Sequence, residues 1–223
     1  VLASAAAGAP NNLASRASVF VGREVEIAQA CALLDRSDVR LLTVVGPGGA
    51  GKSRLAVQLA STRLAAGAHP AGVFLVDLEP LRRPDQIPTE VAKALGVAAP
   101  QGQAWEDLAE AIADRQLLLV LDTFEHLLDA AARIPLLLRD CPHLQVIVTS
   151  RLRLSLADEN LFPLGGLALA PVDAQAAEAR QSEAVRLFAE RARQIEPRFD
   201  LAAELRHVTS LCRRLGGLPL ALE

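Results

Sequence analysis

Residues 46–53 read GPGGAGKS, and the chain on either side of them decides the fold. The aliphatic run LLTVVG (41–46) leads into the glycines, and a segment with helical apolar spacing, near 52–66, leads out of them. Strand, glycine loop and helix in that order is the setting in which G-x-x-x-x-G-K-S forms a phosphate-holding loop. Glycines admit the positive-φ conformations that turn successive N–H groups inward into an anion nest, and the helix N-terminus adds partial positive charge. Gly46, Gly48, Gly49, Ala50 and Gly51 then supply backbone to the phosphates, with Arg54 just beyond in the first helical turn. Lys52 reaches the β- and γ-phosphates, and the Ser53 hydroxyl is offered to Mg²⁺. Composition agrees. Only Lys52 and Lys93 are lysines among 23 basic residues, the other 21 being arginine. A chain so biased keeps lysine where a compact ammonium fits and a planar guanidinium does not.

Outward from this loop, four more short aliphatic runs follow: VFLVDL (73–78), LLLVLD (117–122), QVIVTS (145–150) and LFPLGGL (161–167). Continuous rather than alternating hydrophobicity predicts strands buried on both faces, as in a parallel sheet. Helical patterns near 87–95, 105–114 and 127–139 alternate with them, and EVEIAQACALL precedes them, so the fold class is α/β, an open sheet with helices on both faces. Beyond Pro171, SEAVRLFAERARQI and LAAELRHVTSLCRRLGG are amphipathic helices with no strand between them, which predicts a small helical domain. The small and polar lead-in VLASAAAGAPNNLASRAS reads as a linker. The expected division is linker 1–18, nucleotide-binding domain 19–168 and helical domain 169–223.

A formal net charge of −3 gives the whole chain no electrostatic footprint for nucleic acid. Cys31, Cys141 and Cys212 are far apart with no CxxC pair, and read as reduced, buried small hydrophobes of a cytoplasmic protein. No apolar run approaches the roughly 18 residues of a membrane span. The sequence begins at Val1 and holds no methionine, so it is expected to be a fragment of something longer.

A phosphate loop needs a metal-holding acid on another strand. LLLVLD ends in Asp122, a carboxylate at a strand's carboxyl end, where open α/β sheets place ligands; a cap for the following helix is the other reading. Glu125 is a candidate to orient or deprotonate an attacking water, or simply to favour the first turn of that helix. VTSR places Arg151 where it can neutralise a γ-phosphate, with Arg139 and Arg153 close by in sequence. Asp77 is expected to cap a loop, and Trp105 and His126 to pack.

These residues resemble the STAND-type (NB-ARC-like) signal-transduction ATPases, in particular the version within bacterial transcriptional regulators of the SARP and LuxR kinds. The resemblance runs from about Val19 to Glu223 and rests on FVGRE (20–24), GPGGAGKSRLA (46–56), FLVDLEPL (74–81), LLLVLDTFEHL (117–127), VIVTSR (146–151), SEAVRLFAERAR (182–193) and GGLPLALE (216–223). It implies a P-loop sheet of order 5-1-4-3-2, with ATP or ADP and Mg²⁺ as cofactors. It also implies that Phe20, Val21, Gly22 and Arg23 lie along the adenine and ribose, with Pro219 presented to the base from the helical domain. Two departures stand out. Thr123 replaces the second acid that often follows the Asp122 position, which shifts water activation to Glu125. The sequence also stops at Glu223, where such proteins continue into a winged-helix domain.

Lys52, Asp122, Glu125 and Arg151 are thus the candidate catalytic residues, and Ser53 and Asp122 the metal ligands. The expected function is a nucleotide-read switch with slow ATP hydrolysis, controlling self-association of a larger transcriptional regulator, with no direct DNA contact and no membrane. Two rivals are a work-performing AAA+ ATPase such as a helicase loader, and a nucleotide-free interaction scaffold.

Overall fold

A computed structural model of the chain describes residues 9–13, 20–98 and 104–223. Its centre is a five-stranded parallel sheet of β1 (Leu41–Val45), β2 (Val73–Asp77), β3 (Leu118–Asp122), β4 (Gln145–Ser150) and β5 (Asn160–Pro163), in the order β2-β3-β4-β1-β5. That is the order the resemblance implies, read from the other edge. Helices α1 (Glu24–Leu34) and α2 (Lys52–Ala65) cover one face, and α3 (Ile87–Leu95), α4 (Ala104–Ile112) and α5 (Arg133–Asp140) the other.

The strand runs are continuous because both faces are buried. Leu119, Leu121, Val146 and Val148 point into the core under α3–α5, while Leu118, Val120 and Ile147 point into the core under α1 and α2. Neighbouring residues alternate between two apolar environments, so the runs stay largely apolar, with buried Thr43 of β1 an exception. α6 (Ala176–Gln181), α7 (Glu183–Ile195), α8 (Leu201–Arg214) and α9 (Pro219–Leu222) form a separate helical cluster with its own core, including Leu187, Leu205, Val208 and Leu222.

Three expectations need correction. The helix expected over 127–139 is a single 3₁₀ turn at Leu128–Ala130 followed by α5, which starts at Arg133. Pro135 falls in the first turn of α5, where its missing N–H is no loss; a helix continuous from 127 would require that N–H and would meet the proline ring. The run 161–167 pairs as a strand only to Pro163, on the sheet's edge. Of the expected linker, residues 1–8 and 14–18 lie outside the described residues, as does Val19, but 9–13 run beside β2. Pro10 O accepts the Val73 N–H at 3.0 Å, and the Asn12 side-chain amide exchanges two hydrogen bonds with the Leu75 backbone, at 2.8 and 2.7 Å.

The cysteines are all free; Cys141 and Cys212 are buried as expected, and burial pushes their thiols up to about 11, whereas Cys31 is only partly buried. Among the described residues no helix is long and apolar enough to cross a membrane.

At the sheet's lower end, buried His69 holds Gln145 Oε1 through Nε2 at 2.8 Å, while Gln145 Nε2 donates to the carbonyls of Leu34 and Val39. With its NH₂ committed to carbonyls, the Gln145 oxygen must accept, so His69 Nε2 carries the proton. Burial is the main cause that lowers the His69 pKa below its ordinary 6.5; the Gln145 bond opposes it and Arg63 adds to it. A histidine kept neutral by the fold binds fewer protons folded than unfolded. The stability it supports is therefore present above about pH 6.5 and is lost as pH falls below that value, at up to about 1.4 kcal/mol per pH unit. Urea unfolding at pH 7.5 and 5.5 is expected to show a smaller pH difference for His69→Gln than for the wild type.

Candidate nucleotide site

Parallel strands bring their carboxyl ends to one edge of the sheet, and the candidate residues gather there. β1 ends at Val45, paired with Ser150 of β4, and β3 ends at Asp122, paired with Asp77 of β2. The loop after β1 closes with Ala50 N–H on Pro47 O at 3.3 Å, and Gly49 and Gly51 take φ of 78° and 89°. A side chain would be strained at both. Gly51 is the N-cap of α2, so the first N–H groups of that helix face the loop.

Lys52 Nζ donates to the carbonyls of Gly46 and Pro47, both at 3.0 Å. Desolvation is the main cause that lowers its pKa; Glu125 and Asp122 act to raise it, and Arg151 to lower it. Lys52 thus lies within the electrostatic reach of the other three candidate catalytic side chains. Asp122 is buried, and its Oδ1 accepts a hydrogen bond from Thr149 Oγ1, which in turn accepts the Thr123 N–H at 2.9 Å. Thr123 takes a φ of 65° to place that N–H. Arg151 Nε lies 3.0 Å from Glu125 Oε1, and the guanidinium passes over Gly48. Glu125 Oε2 is buried with no partner among the described residues. Asp77 accepts the Glu79 N–H at 3.0 Å, a loop cap as expected. His126 Nε2 is shared between the carbonyls of Leu78 and Leu81, and Trp105 packs against the core.

Beside the loop, segments distant in sequence form a small cleft. Phe20, Val21, Arg54, Leu167, Leu187 and Pro219 line it, with Ala50 and Gly51 beneath. The Arg54 guanidinium lies 6.0 Å from the centre of the Phe20 ring, close enough for a cation–π contact. From the helical cluster, Pro219 stands over Gly51 and the Leu220 N–H donates to Gly49 O at 3.2 Å. Arg54 and Arg191 share Glu223, at 3.2 and 2.6 Å.

Over residues 35–157 the sequence matches the family described as the AAA domain. The chain belongs to that family. This AAA domain is 37% identical over 82% of its length to a Mycobacterium tuberculosis protein named "Putative HTH-type transcriptional regulator", and spans 20% of that protein. It is 39% identical over 92% of its length to a second protein of that organism, of which it spans 49%. Two solved structures share its fold. The STAND protein with a tetratricopeptide repeat sensor from Pyrococcus horikoshii has 18% identity and a TM-score of 0.53, over 93% of this chain and 30% of that one. The ORC2 protein of Aeropyrum pernix, determined as ADPNP and ADP complexes, has 17% identity and a TM-score of 0.56, over 93% and 61%.

The donor set of the AAA domain suits Mg²⁺. Asp122 offers a carboxylate that enters no ion pair among the described residues, and Ser53 a hydroxyl in the first turn of α2. Hard oxygen donors, few in number, fit a cation that keeps several waters and shares phosphate oxygens.

Three residues here carried no role in the sequence. Thr149 orients Asp122; its place within VTSR at a strand end was the available signal. Glu183 accepts the Arg23 N–H, and Leu187 lines the cleft; their partners lie far off in sequence, and only the motif SEAVRLFAERAR marked them. Arg23 also lines the cleft, but its side chain is committed elsewhere. Its guanidinium is buried and given to Glu26 at 2.6 Å, Gly165 O at 2.6 Å and Ala50 O at 3.4 Å.

Proposed function

We propose that this AAA-type P-loop ATPase domain binds ATP and ADP and acts as a molecular switch. The carrying observation is the cleft beside the phosphate loop, walled on one side by Phe20–Arg23 and on the other by Pro219 and Leu187 of the helical cluster. A ligand held between two bodies favours one relative placement over another, and that differential affinity is what a switch requires. On this reading the adenine lies against Phe20 and Pro219, and the loop N–H groups and Lys52 hold the phosphates. Ser53 and Asp122 hold Mg²⁺, which when bound supplies charge neutralisation at the β- and γ-phosphates.

Turnover is slow on the same reading. Glu125, the candidate to orient water, is paired with Arg151, and Thr123 takes the place of a second acid. The STAND protein from P. horikoshii and the nucleotide complexes of A. pernix ORC2 support the reading by likeness of fold, and the regulator name of the M. tuberculosis relative supports a place in transcriptional control. We place the domain within a longer, self-associating regulator of the STAND type, itself making no direct contact with DNA.

Arg151 provides the test. Its guanidinium passes over Gly48 and pairs, among the described residues, with Glu125, so a third phosphate would compete with that carboxylate for it. Arg151→Ala is expected to weaken binding of a non-hydrolysable ATP analogue about tenfold, the size of one charge-assisted hydrogen bond, and of ADP less than twofold. Calorimetry with both nucleotides reads this directly. Equal losses would remove Arg151 as the reader of the third phosphate. Ring formation with brisk, DNA-stimulated phosphate release would replace the switch with a motor.

A further inference from the structure

The motif SEAVRLFAERAR supplies the first turn of α7, and its acid has an unusual position. Glu183, the first residue of α7, sends its carboxylate away from its own helix. Oε1 accepts the N–H of Arg23 at 2.7 Å and Oε2 accepts the N–H of Ala168 at 3.0 Å. One carboxylate therefore joins three segments: the FVGRE wall of the cleft, the exit from β5, and the helical cluster. A Cβ at Gly22 would fall inside this carboxyl group, and Gly22 has a φ of 74°, so the glycine is where the two bodies close on each other.

The turn Glu183 holds is not a relaxed one. Arg23 follows Gly22 in the left-handed region, at φ 67°, a conformation that costs a residue with a Cβ about 1 kcal/mol or more and persists only where its surroundings fix it. The Arg23 side chain fixes it from one side, through Ala50 of the phosphate loop and Gly165. Glu183 fixes it from the other, through the backbone. Phe20 and Val21, which line the cleft, come immediately before this turn, and Val21 packs against the helical core. The phosphate loop lies between β1 and α2, whereas the Glu183 hydrogen bonds go to Arg23 and Ala168.

We propose that Glu183 is a positioning residue for the adenosine half of the nucleotide: by clamping the Gly22–Arg23 turn to the helical cluster it sets the wall on which the base rests, without touching the phosphate grip. This inference rests on the reading of the cleft as an adenine-nucleotide site. It divides the site into two parts, the phosphate loop and the wall of the base, which meet where the Arg23 guanidinium reaches Ala50 O. The triphosphate is held by the loop, and the base by a wall whose placement depends on the helical cluster through the Glu183 carboxylate and the packing of Val21.

The experiment compares three probes by calorimetry with Mg²⁺ present: ATP, ADP and inorganic tripolyphosphate. Glu183→Ala is expected to weaken ATP and ADP about tenfold each while tripolyphosphate binds as to wild type. Glu183→Gln keeps one acceptor oxygen and should fall between, which also serves where the alanine variant folds poorly. Gly22→Ala attacks the same contact from the opposite side and should reproduce the alanine pattern. A merely structural role would lower all three probes together, and that result would overturn the proposal, as would unchanged ATP affinity in folded Glu183→Ala. Wild-type protein that binds tripolyphosphate but neither nucleotide would overturn the adenine reading of the cleft, and the inference with it.

Discussion

Lys52→Ala is expected to abolish most of the stabilisation that Mg-ATP or ADP confers on the folded chain. A ligand that binds only the folded state adds about 2.7 kcal/mol at a hundredfold excess over its Kd. Lys52 supplies the one ammonium aimed into the loop, and its Nζ already sits between the carbonyls of Gly46 and Pro47. Burial has lowered its affinity for a proton, so part of the cost of desolvating the charge is met by the fold before any phosphate arrives. Removing the side chain leaves the loop N–H groups but no cation among them. Thermal melting of wild type and variant, with and without nucleotide, reads the effect. The melting temperature without ligand should change little, because Lys52 is only half-buried and its partners are loop carbonyls. A variant whose nucleotide-induced shift matches that of wild type would remove the phosphate-loop assignment.

Phe124→Ala should produce the largest loss of stability, about 3–5 kcal/mol, from the transfer and cavity costs of truncating a buried aromatic. Phe124 is fully buried in the core beneath α3–α5, and its N–H donates to Thr149 O at 2.9 Å. It lies between Thr123, whose left-handed backbone reaches Thr149, and Glu125, which meets Arg151. The ring therefore anchors the stretch that presents the acids. For a domain whose total stability is of the order of 5–15 kcal/mol, such a loss is a large share. Urea unfolding at pH 7.5 should show a lower midpoint with little change in slope. A loss under 1 kcal/mol would mean that the pocket collapses around alanine without strain.

What the sequence made legible depends on whether a contact is local or distant. The strands were legible because burial on both faces leaves an unbroken aliphatic signature, visible in LLLVLD without reference to any partner. The phosphate loop was legible because its chemistry lies within eight consecutive residues. Helix 127–139 was overextended because apolar spacing continues through a proline that can occupy only a helix's first turn. The role of Arg23 was illegible in detail: the resemblance of FVGRE implied a place along the nucleotide, and only the folded chain puts its guanidinium on Gly165, 142 positions away. Glu183 and Arg23 are separated by 160 positions, and no periodicity relates them. Thr149 is intermediate, since a hydroxyl at a strand end beside the acid-bearing strand invites a partner but does not name one.

Strand β2 is the outermost strand of the sheet on its side, and an unpaired row of N–H and C=O groups there is a template on which another molecule can add a strand. Pro10 and Asn12 occupy that row: the first takes the Val73 N–H, and the second uses a side-chain amide in place of a peptide to satisfy both backbone groups of Leu75. A molecule cut at Phe20 would keep every residue of the cleft and the phosphate loop yet present a raw, adhesive margin. Residues 9–13 therefore close part of that margin, and a chain cut at Phe20 is expected to expose the Val73 and Leu75 backbone groups they satisfy, which light scattering of the two lengths at rising concentration would test.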